Sequence, residues 1–287
     1  MKKHLALITY SGLPHGAESE RLMLPYLAAA NIETEIVDWR SDGIDFSKFD
    51  QIVLRSCWDY HLRVTEFIGW LRRVGRITPI LNAVDTVLWN HNKFYLREVE
   101  ARRIEIAPTV FVDGGPIASS EWQEIRNWKK FVVKPAVSAS AHQTWLFDSA
   151  AVPTENELKS KMEAQPFLIQ QFIPEIETEG EISFIYIDGA YSHAVLKRPA
   201  AGDFRVQKEH GGSAELFHPD SALLDQANRI AATVPQVRDS LYCRIDAVAR
   251  DRKLVLMELE LIEPELFLGL AEGAAERFAD AIVRRLR

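Results

Sequence analysis

The sequence predicts an α/β amino-terminal segment followed by α+β structure rich in hairpins. Three observations point there. In the first 85 residues, short apolar runs alternate with helical patterns, as in a small parallel β-α-β unit. Beyond it, residues 181–187 and 191–196 flank Asp188-Gly189, a dipeptide that favours a tight hairpin. Residues 242–265 (YCRIDAVARDRKLVLMELELIEPE) read as a second hairpin with acidic side chains gathered on one face.

The first strand, at residues 4–10, is apolar enough to be buried. A turn-rich loop at 11–16 leads to a helix over 17–30, strands at 33–39 and 51–55, and a helix over 65–74. Ligands bind at the carboxyl ends of parallel strands, which singles out loops 10–16 and 55–61 (RSCWDYH). Arg55 is the candidate anion contact there; the alternative is a capping loop in which Trp58 and Tyr60 only pack. Residues 90–100 predict a helix capped by Asn90 or Asn92, with Lys93 in its first turn. A lysine there opposes the helix dipole unless a bound phosphate sits nearby; otherwise it is a solvated lysine.

Strands at 108–112 and 131–134 flank a helix at 120–128. Lys134 ends an apolar run ahead of Pro135, which is expected to stop strand pairing. Such a lysine either snorkels to solvent or faces an anion. The small residues at 136–141 would let backbone N–H groups approach phosphate oxygens, and a short strand returns at 144–147. No P-loop, GxGxxG or HExxH motif occurs. A strand at 166–173 ends at Pro174, and an acidic loop precedes the Asp-Gly hairpin. Residues 197–212 are Gly-rich and carry Lys197, Arg198, Arg205 and Lys208. They form either a mobile surface loop or a polyphosphate clamp, for which the arginine fork is suited. Helices at 220–234 and 270–286 bracket the second hairpin.

In that hairpin, Glu258 and Glu260 share a face, with Met257, Leu259 and Leu261 on the other. A three-residue loop at 251–253 would place Asp246, on the face of Arg244 and Val248, opposite Glu258. Like charges ~4 Å apart repel by about 4 kcal/mol at an effective dielectric of about 20. A divalent cation with oxygen ligands, such as Mg²⁺, would offset this; the alternative is a solvated acidic edge.

Composition bounds the rest. The 287 residues are 47% hydrophobic and 26% charged, ordinary for a globular chain long enough for two domains or one subdivided one. A net charge of −7 argues against nucleic acid or an anionic membrane as partner. Cys57 and Cys243 are far apart and read as buried thiols in a reducing compartment. The apolar run after Lys3 is too short for a signal peptide, and there is no run of 18 apolar residues. The expectation is a cytoplasmic protein.

Taken in order, Lys93, Lys134, the strand end at 170–173, the basic loop, and Asp246, Glu258 and Glu260 make the chain resemble the ATP-grasp superfamily. Glutathione synthetase, D-alanine–D-alanine ligase and ribosomal-protein glutamate ligases are members. The resemblance spans essentially the whole chain, and its specificity lies in the order of the motifs. The phrases RSCWDYH, SHAVLKRPAAGDFRVQ and MELELIEPELFL are similar to the branch holding the O-ureido-serine cyclo-ligase of cycloserine biosynthesis.

The resemblance implies an ATP-grasp fold with a Rossmann-like pre-ATP-grasp domain at 1–85, a central lobe at 86–172 and a carboxylate-bearing lobe at 173–287. It implies ATP and two Mg²⁺ ions as cofactors. Lys93 and Lys134 would contact phosphates, Gln170, Gln171 and Ile173 the adenine edge, and Glu181 the ribose. Arg198 and Arg205 would stabilise the transferred phosphoryl group, and Gly211 and Gly212 would line the reacting carboxylate. Asp246, Glu258 and Glu260 would hold the metals, although the family usually has Asn where Glu260 stands. The loop after Lys134, usually glycine-rich in the family, has no glycine at 136–141.

The implied activity is ATP-dependent carboxylate–amine ligation through an acyl phosphate on a small amino-acid-like substrate, within one molecule or between two. Glu263 is the candidate partner of a substrate ammonium. Competing readings are a nucleotide-binding regulator and a small-molecule kinase. Members of the superfamily often form dimers, and nothing in the chain itself decides for a homodimer.

Overall fold

The structure, a computed structural model, describes residues 2–163 and 165–286. The first layer contains β1 (Lys3–Thr9), α1 (Glu18–Arg21), α2 (Leu24–Ala29), β2 (Ile32–Asp38), β3 (Gln51–Leu54), α3 (Val64–Val74), β4 (Ile80–Leu81) and α4 (Val84–Asn90); α5 (Tyr95–Ala101) follows and packs Leu96 and Val99 with Phe184 and Ile245. The sheet of this layer is parallel, in the order β2-β1-β3-β4. The order reverses at β1, so the loops after β1 and β3 open together at the carboxyl edge, where a crevice forms. The helix expected over 17–30 is two short helices. Pro25 lies in the first turn of α2, and a proline starts a helix more readily than it continues one, because it has no N–H to donate.

The second sheet, β5-β8-β6-β7, is antiparallel. It is built from β5 (Thr109–Val112), α6 (Ser119–Asn127), β6 (Lys130–Pro135), β7 (Trp145–Asp148), α7 (Glu155–Lys161) and β8 (Phe167–Gln171). Ile125 of α6 and Leu158 of α7 cover one face, packing with Val110, Phe131, Val133 and Ile169. Lys134 and Gln170 take the other by alternation. Pairing does not stop at Pro135, which stands opposite Phe167. The partner strand β7 has already ended at the Val133–Trp145 pair, so no strand needs the missing proline N–H.

The third sheet, β11-β10-β9-β12-β13, is also antiparallel. Its elements are α8 (Glu175–Thr178), β9 (Glu181–Ile187), β10 (Ala190–Arg198), β11 (Ser213–Phe217), α9 (Ser221–Thr233), α10 (Pro235–Arg238), β12 (Tyr242–Arg250), β13 (Lys253–Glu260) and α11 (Ala274–Arg285). Asp188 and Gly189 turn with φ of 53° and 77°, as a two-residue hairpin turn requires. Phe278 and Ile282 of α11 share a core with Leu27 of α2 and Ile185 of β9, which joins the carboxyl terminus to the first layer. Both cysteines are free and buried. No helix among the described residues is long and apolar enough to cross a membrane.

The outer edge of β13 is completed by side chains. Asn90 Nδ2 donates to Leu259 O (2.8 Å), and Asn90 Oδ1 accepts from Leu261 N (2.9 Å). Tyr95 Oη donates to Leu259 O (3.0 Å) and accepts from Leu259 N (2.7 Å). Asn82, 1% exposed, donates to Tyr242 O and Leu261 O (both 2.8 Å) and accepts from Leu241 N (2.7 Å). Asn82→Ala strands three buried backbone groups, each costing about 1–3 kcal/mol when unpaired. We expect a fall of about 3 kcal/mol or more in unfolding free energy, read as a lower urea midpoint with an unchanged m-value.

Candidate active site

A cleft of about 980 Å³ lies between the sheets and the crevice of the first layer. Strand register builds its floor. Lys197 stands opposite Glu181, Asp246 opposite Ser183 and Glu258, and Arg244 opposite Glu260. Facing residues on paired strands share a side of the sheet, so this polar set points one way. The other side is apolar, with Ile182, Phe184, Ile245 and Leu256 in the core.

Two irregularities set that register. The turn after β12 has two residues, Asp251 and Arg252, not three. A bulge between Asp246 and Ala247 then slips the ladder by one and brings Glu258 opposite Asp246. A second bulge, between Tyr191 and His193, brings Lys197 opposite Glu181.

The floor is a lattice of ion pairs. Lys134 Nζ lies 2.8 Å from Glu258 Oε1, and Lys93 Nζ 3.9 Å from the same atom. Lys197 Nζ lies 2.5 Å from Glu181 Oε1 and 3.3 Å from Asp246 Oδ1. Arg244 bridges Asp246 (3.0 Å) and Glu260, and Ser183 Oγ donates to Asp246 Oδ1 (2.5 Å). Burial alone would raise the Asp246 carboxyl, but Arg244, Lys197 and the hydrogen bonds from Arg244 and Ser183 hold it well below the usual range. Burial also works against Glu258, which Lys134 and then Lys93 lower. Glu260 is pushed up to about 7 by burial and by the charges of Asp246 and Glu258, despite Arg244. Glu263 is pushed up to about 8 by burial and then by Glu260.

Lys93, Lys134, Gln170, Gln171, Ile173, Glu181, Arg205, Gly212, Asp246, Glu258, Glu260 and Glu263 all line the cleft. Lys93 precedes α5 rather than joining its first turn: its N–H donates to Ala136 O (2.8 Å) and its Nζ to Ser138 O (2.8 Å). That ties it to the loop after Lys134, where Ser140 and Ala141 adopt φ of 50° and 54°. The missing glycines thus leave non-glycine residues in left-handed conformations, at roughly 1–2 kcal/mol each.

Three candidates fall elsewhere. Arg198 is the neighbour of Lys197 on β10, so alternation turns it outward, where it pairs with Glu215 (2.7 Å). Lys197, not Arg198, faces the carboxylates. Arg55 lies beneath the cleft at 1% exposure, paired with Glu20 at 3.1 Å, and so does not reach a ligand. Gly211 closes a short turn at φ 80° and does not line the cleft. Beside it, a side chain at Gly212 would come within 2.2 Å of Val206 O. Arg205 reaches the rim with its guanidinium held by Asp203 (2.7 Å). Sequence reasoning passed over Ser183; it placed Lys197 in the basic stretch and Arg244 on the face of Asp246 but gave neither a role among the carboxylates.

Asp246, Glu258 and Glu260 offer oxygen donors alone, on one face, as a hard cation requires. Yet among the described residues no three acidic, histidine or cysteine groups already surround one point. The carboxylates are held by Lys134, Lys197 and Arg244 instead. The donor set fits Mg²⁺ once those ion pairs open.

Residues 133–265 match the family described as the RimK-like ATP-grasp domain. Those residues resemble a RimK-like ATP-grasp domain, and the chain has the ATP-grasp fold. In this ATP-grasp chain, residues 5–82 match the family of the D-cycloserine synthetase DcsG amino-terminal domain. It is 27% identical to the cycloserine biosynthesis protein DcsG of Streptomyces lavendulae over 286 residues, 92% of this chain and 94% of that protein. The crystal structure of D-cycloserine synthetase DcsG superposes with a TM-score of 0.87 at 24% identity, covering 99% of this chain and all of that one. The ATP complex of D-alanine–D-alanine ligase from Bacillus anthracis superposes at 0.68 and 17% identity, covering 99% and 97%. The ATP-grasp fold expected from the sequence is the fold found.

Glu263 offers a test of the cleft's electrostatics. Its folded pKa, about 8, lies above the ordinary carboxylate value of about 4.5. Its contribution to stability is therefore fully present below about pH 4.5 and is lost as pH rises through about 8. Without nucleotide, Glu263→Gln should be more stable than the parent at about pH 9, by a few kcal/mol, roughly. Urea unfolding at the two ends of that range should show the gap closing towards about pH 4.5.

Proposed function

We propose that this ATP-grasp enzyme activates the carboxylate of a small amino-acid derivative as an acyl phosphate and closes a C–N bond within the same molecule, with O-ureido-serine as the candidate substrate. The reading is supported by the match to DcsG across both halves of the chain and by the acidic, aromatic substrate end of the cleft. Glu18, Glu263, Glu265, Trp58 and Tyr60 line that end. Burial and Glu260 disfavour the charged form of Glu263 in the empty cleft, and a substrate ammonium placed beside it would restore that charge. A second amino acid with its own carboxylate would meet an acidic wall there.

Val132, Ile173 and Met257 give an apolar slot for the adenine base beside Gln170 and Gln171. Lys93 and Lys134 turn from Glu258 to the phosphates, and Lys197 stands where Glu181 orients it towards the transferred group. A substrate carboxylate oxygen attacks the γ-phosphorus and ADP leaves. A nitrogen of the same molecule then attacks the acyl carbon, the C–O bond breaks and phosphate leaves. Two Mg²⁺ ions held by Asp246, Glu258 and Glu260 would supply charge neutralisation at the phosphate oxygens. Buried thiols at Cys57 and Cys243 fit a reducing, cytoplasmic setting.

The observation that supports the reading is the Lys134–Glu258 contact, which brings a lysine of one sheet and a carboxylate of another within 2.8 Å inside the cleft. Incubation with Mg-ATP and O-ureido-serine should release ADP and phosphate with a ring product. A phosphorylated product without a ring would make the enzyme a kinase. Glu258→Gln should lower ADP release by about 100-fold or more while leaving the circular dichroism spectrum unchanged. At a hundred times its Kd, Mg-ATP should stabilise the parent by about 2.7 kcal/mol.

A further inference from the structure

Beneath the substrate end lies a buried knot that the reaction does not use. The Glu20 and Arg55 side chains, 5% and 1% exposed, lie 3.1 Å apart. Glu20 Oε2 accepts from Ser56 Oγ (2.5 Å) and from Ala17 N–H (3.2 Å). Arg55 Nη2 donates to Pro264 O (2.8 Å), and the guanidinium lies over the rings of Tyr242 (4.8 Å) and Phe278 (5.4 Å). Nearer the cleft, Ser19 Oγ donates to Glu265 Oε1 (2.7 Å), which also accepts from Phe267 N (2.7 Å).

Three segments distant in sequence meet here: residues 17–22 around the short helix α1, residues 55–56 just after β3, and the loop at 263–267. The first and third carry Glu18, Ser19, Glu263 and Glu265 into the cleft. A buried ion pair adds little net stability, because desolvation offsets its attraction. Arg55 is also poorly satisfied: its Nε and Nη1 have no protein partner, and the adjoining cavity, about 10 Å³, has room for about one water. Apolar groups of similar volume often replace a buried pair without loss of stability, which leaves geometry rather than stability as the role to test.

We propose that Arg55 is a positioning residue: through Glu20 on one side and Pro264 on the other, it fixes the spacing of the two segments that form the substrate end, without touching substrate. A lysine at 55 can keep the charge opposite Glu20 but cannot fork to Pro264 as well. The kinetic form of this inference rests on the proposed ligase reading; its structural form does not.

The test uses the full chain as Arg55→Lys and as the paired change Arg55→Met with Glu20→Gln, which leaves no buried charge unpaired. Amide hydrogen exchange should rise in 17–22 and 263–267 together in both variants, with β6 and β8 unchanged. With O-ureido-serine as probe, its KM should rise by about tenfold or more while the KM for ATP stays within about twofold. Unchanged exchange in either segment overturns the proposal whatever the substrate. So does an equal loss of ATP and substrate affinity, the mark of general loosening. If the parent releases no ADP with O-ureido-serine, the substrate reading fails and the exchange result alone decides for or against the knot.

Discussion

The structure depends on burying alternating charges on one face of an antiparallel sheet. Glu181, Asp246, Glu258 and Glu260 are tolerable there only because Lys197, Arg244, Lys134 and Lys93 stand between them. The lattice spans two sheets, since Lys134 comes from β6 and its carboxylate from β13. In the proposed reaction the cations would leave these carboxylates for phosphates, and the freed carboxylates would be open to metal.

Such an exchange needs a floor that does not shift. β13 is an edge strand, yet its backbone groups are taken by Asn90 and Tyr95, with Asn82 holding the strand that pairs with it. These side chains do the work of a neighbouring strand without adding one, and so leave the cleft open. On the substrate side, the Glu20–Arg55 pair plays the equivalent part for two segments. The cleft is thus held from below at both ends, while the loops at 136–144 and 199–212 cover it from above.

Much of this was legible in one dimension. The parallel layer followed from apolar runs separated by helices, and the Asp188-Gly189 turn followed from its dipeptide. The acidic hairpin followed from the parity of Glu258 and Glu260. Of the elements that escaped notice, β4 has two residues, β11 is exposed along most of its length and α4 carries no capping side chain, whereas α7 was signalled by the Thr154–Glu157 capping box and still missed. Arg55 looked like an anion site because it follows an apolar strand; only the packing of α11 and Tyr242 over it shows that it is sealed.

By itself the sequence determined which residue types were present for nucleotide chemistry and in what order, because alternation and turn chemistry are local. It did not determine which side of each strand they face. Two bulges, after Tyr191 and after Asp246, each advance the ladder by one residue. One residue is half the side-chain period, so each bulge exchanges the faces of everything beyond it. Lys197 rather than Leu196 stands opposite Glu181, and Glu258 rather than Met257 stands opposite Asp246, because the apolar face must meet the core while the charges need one another. Those requirements are satisfied between strands that are far apart in the chain, and only the tertiary structure shows how.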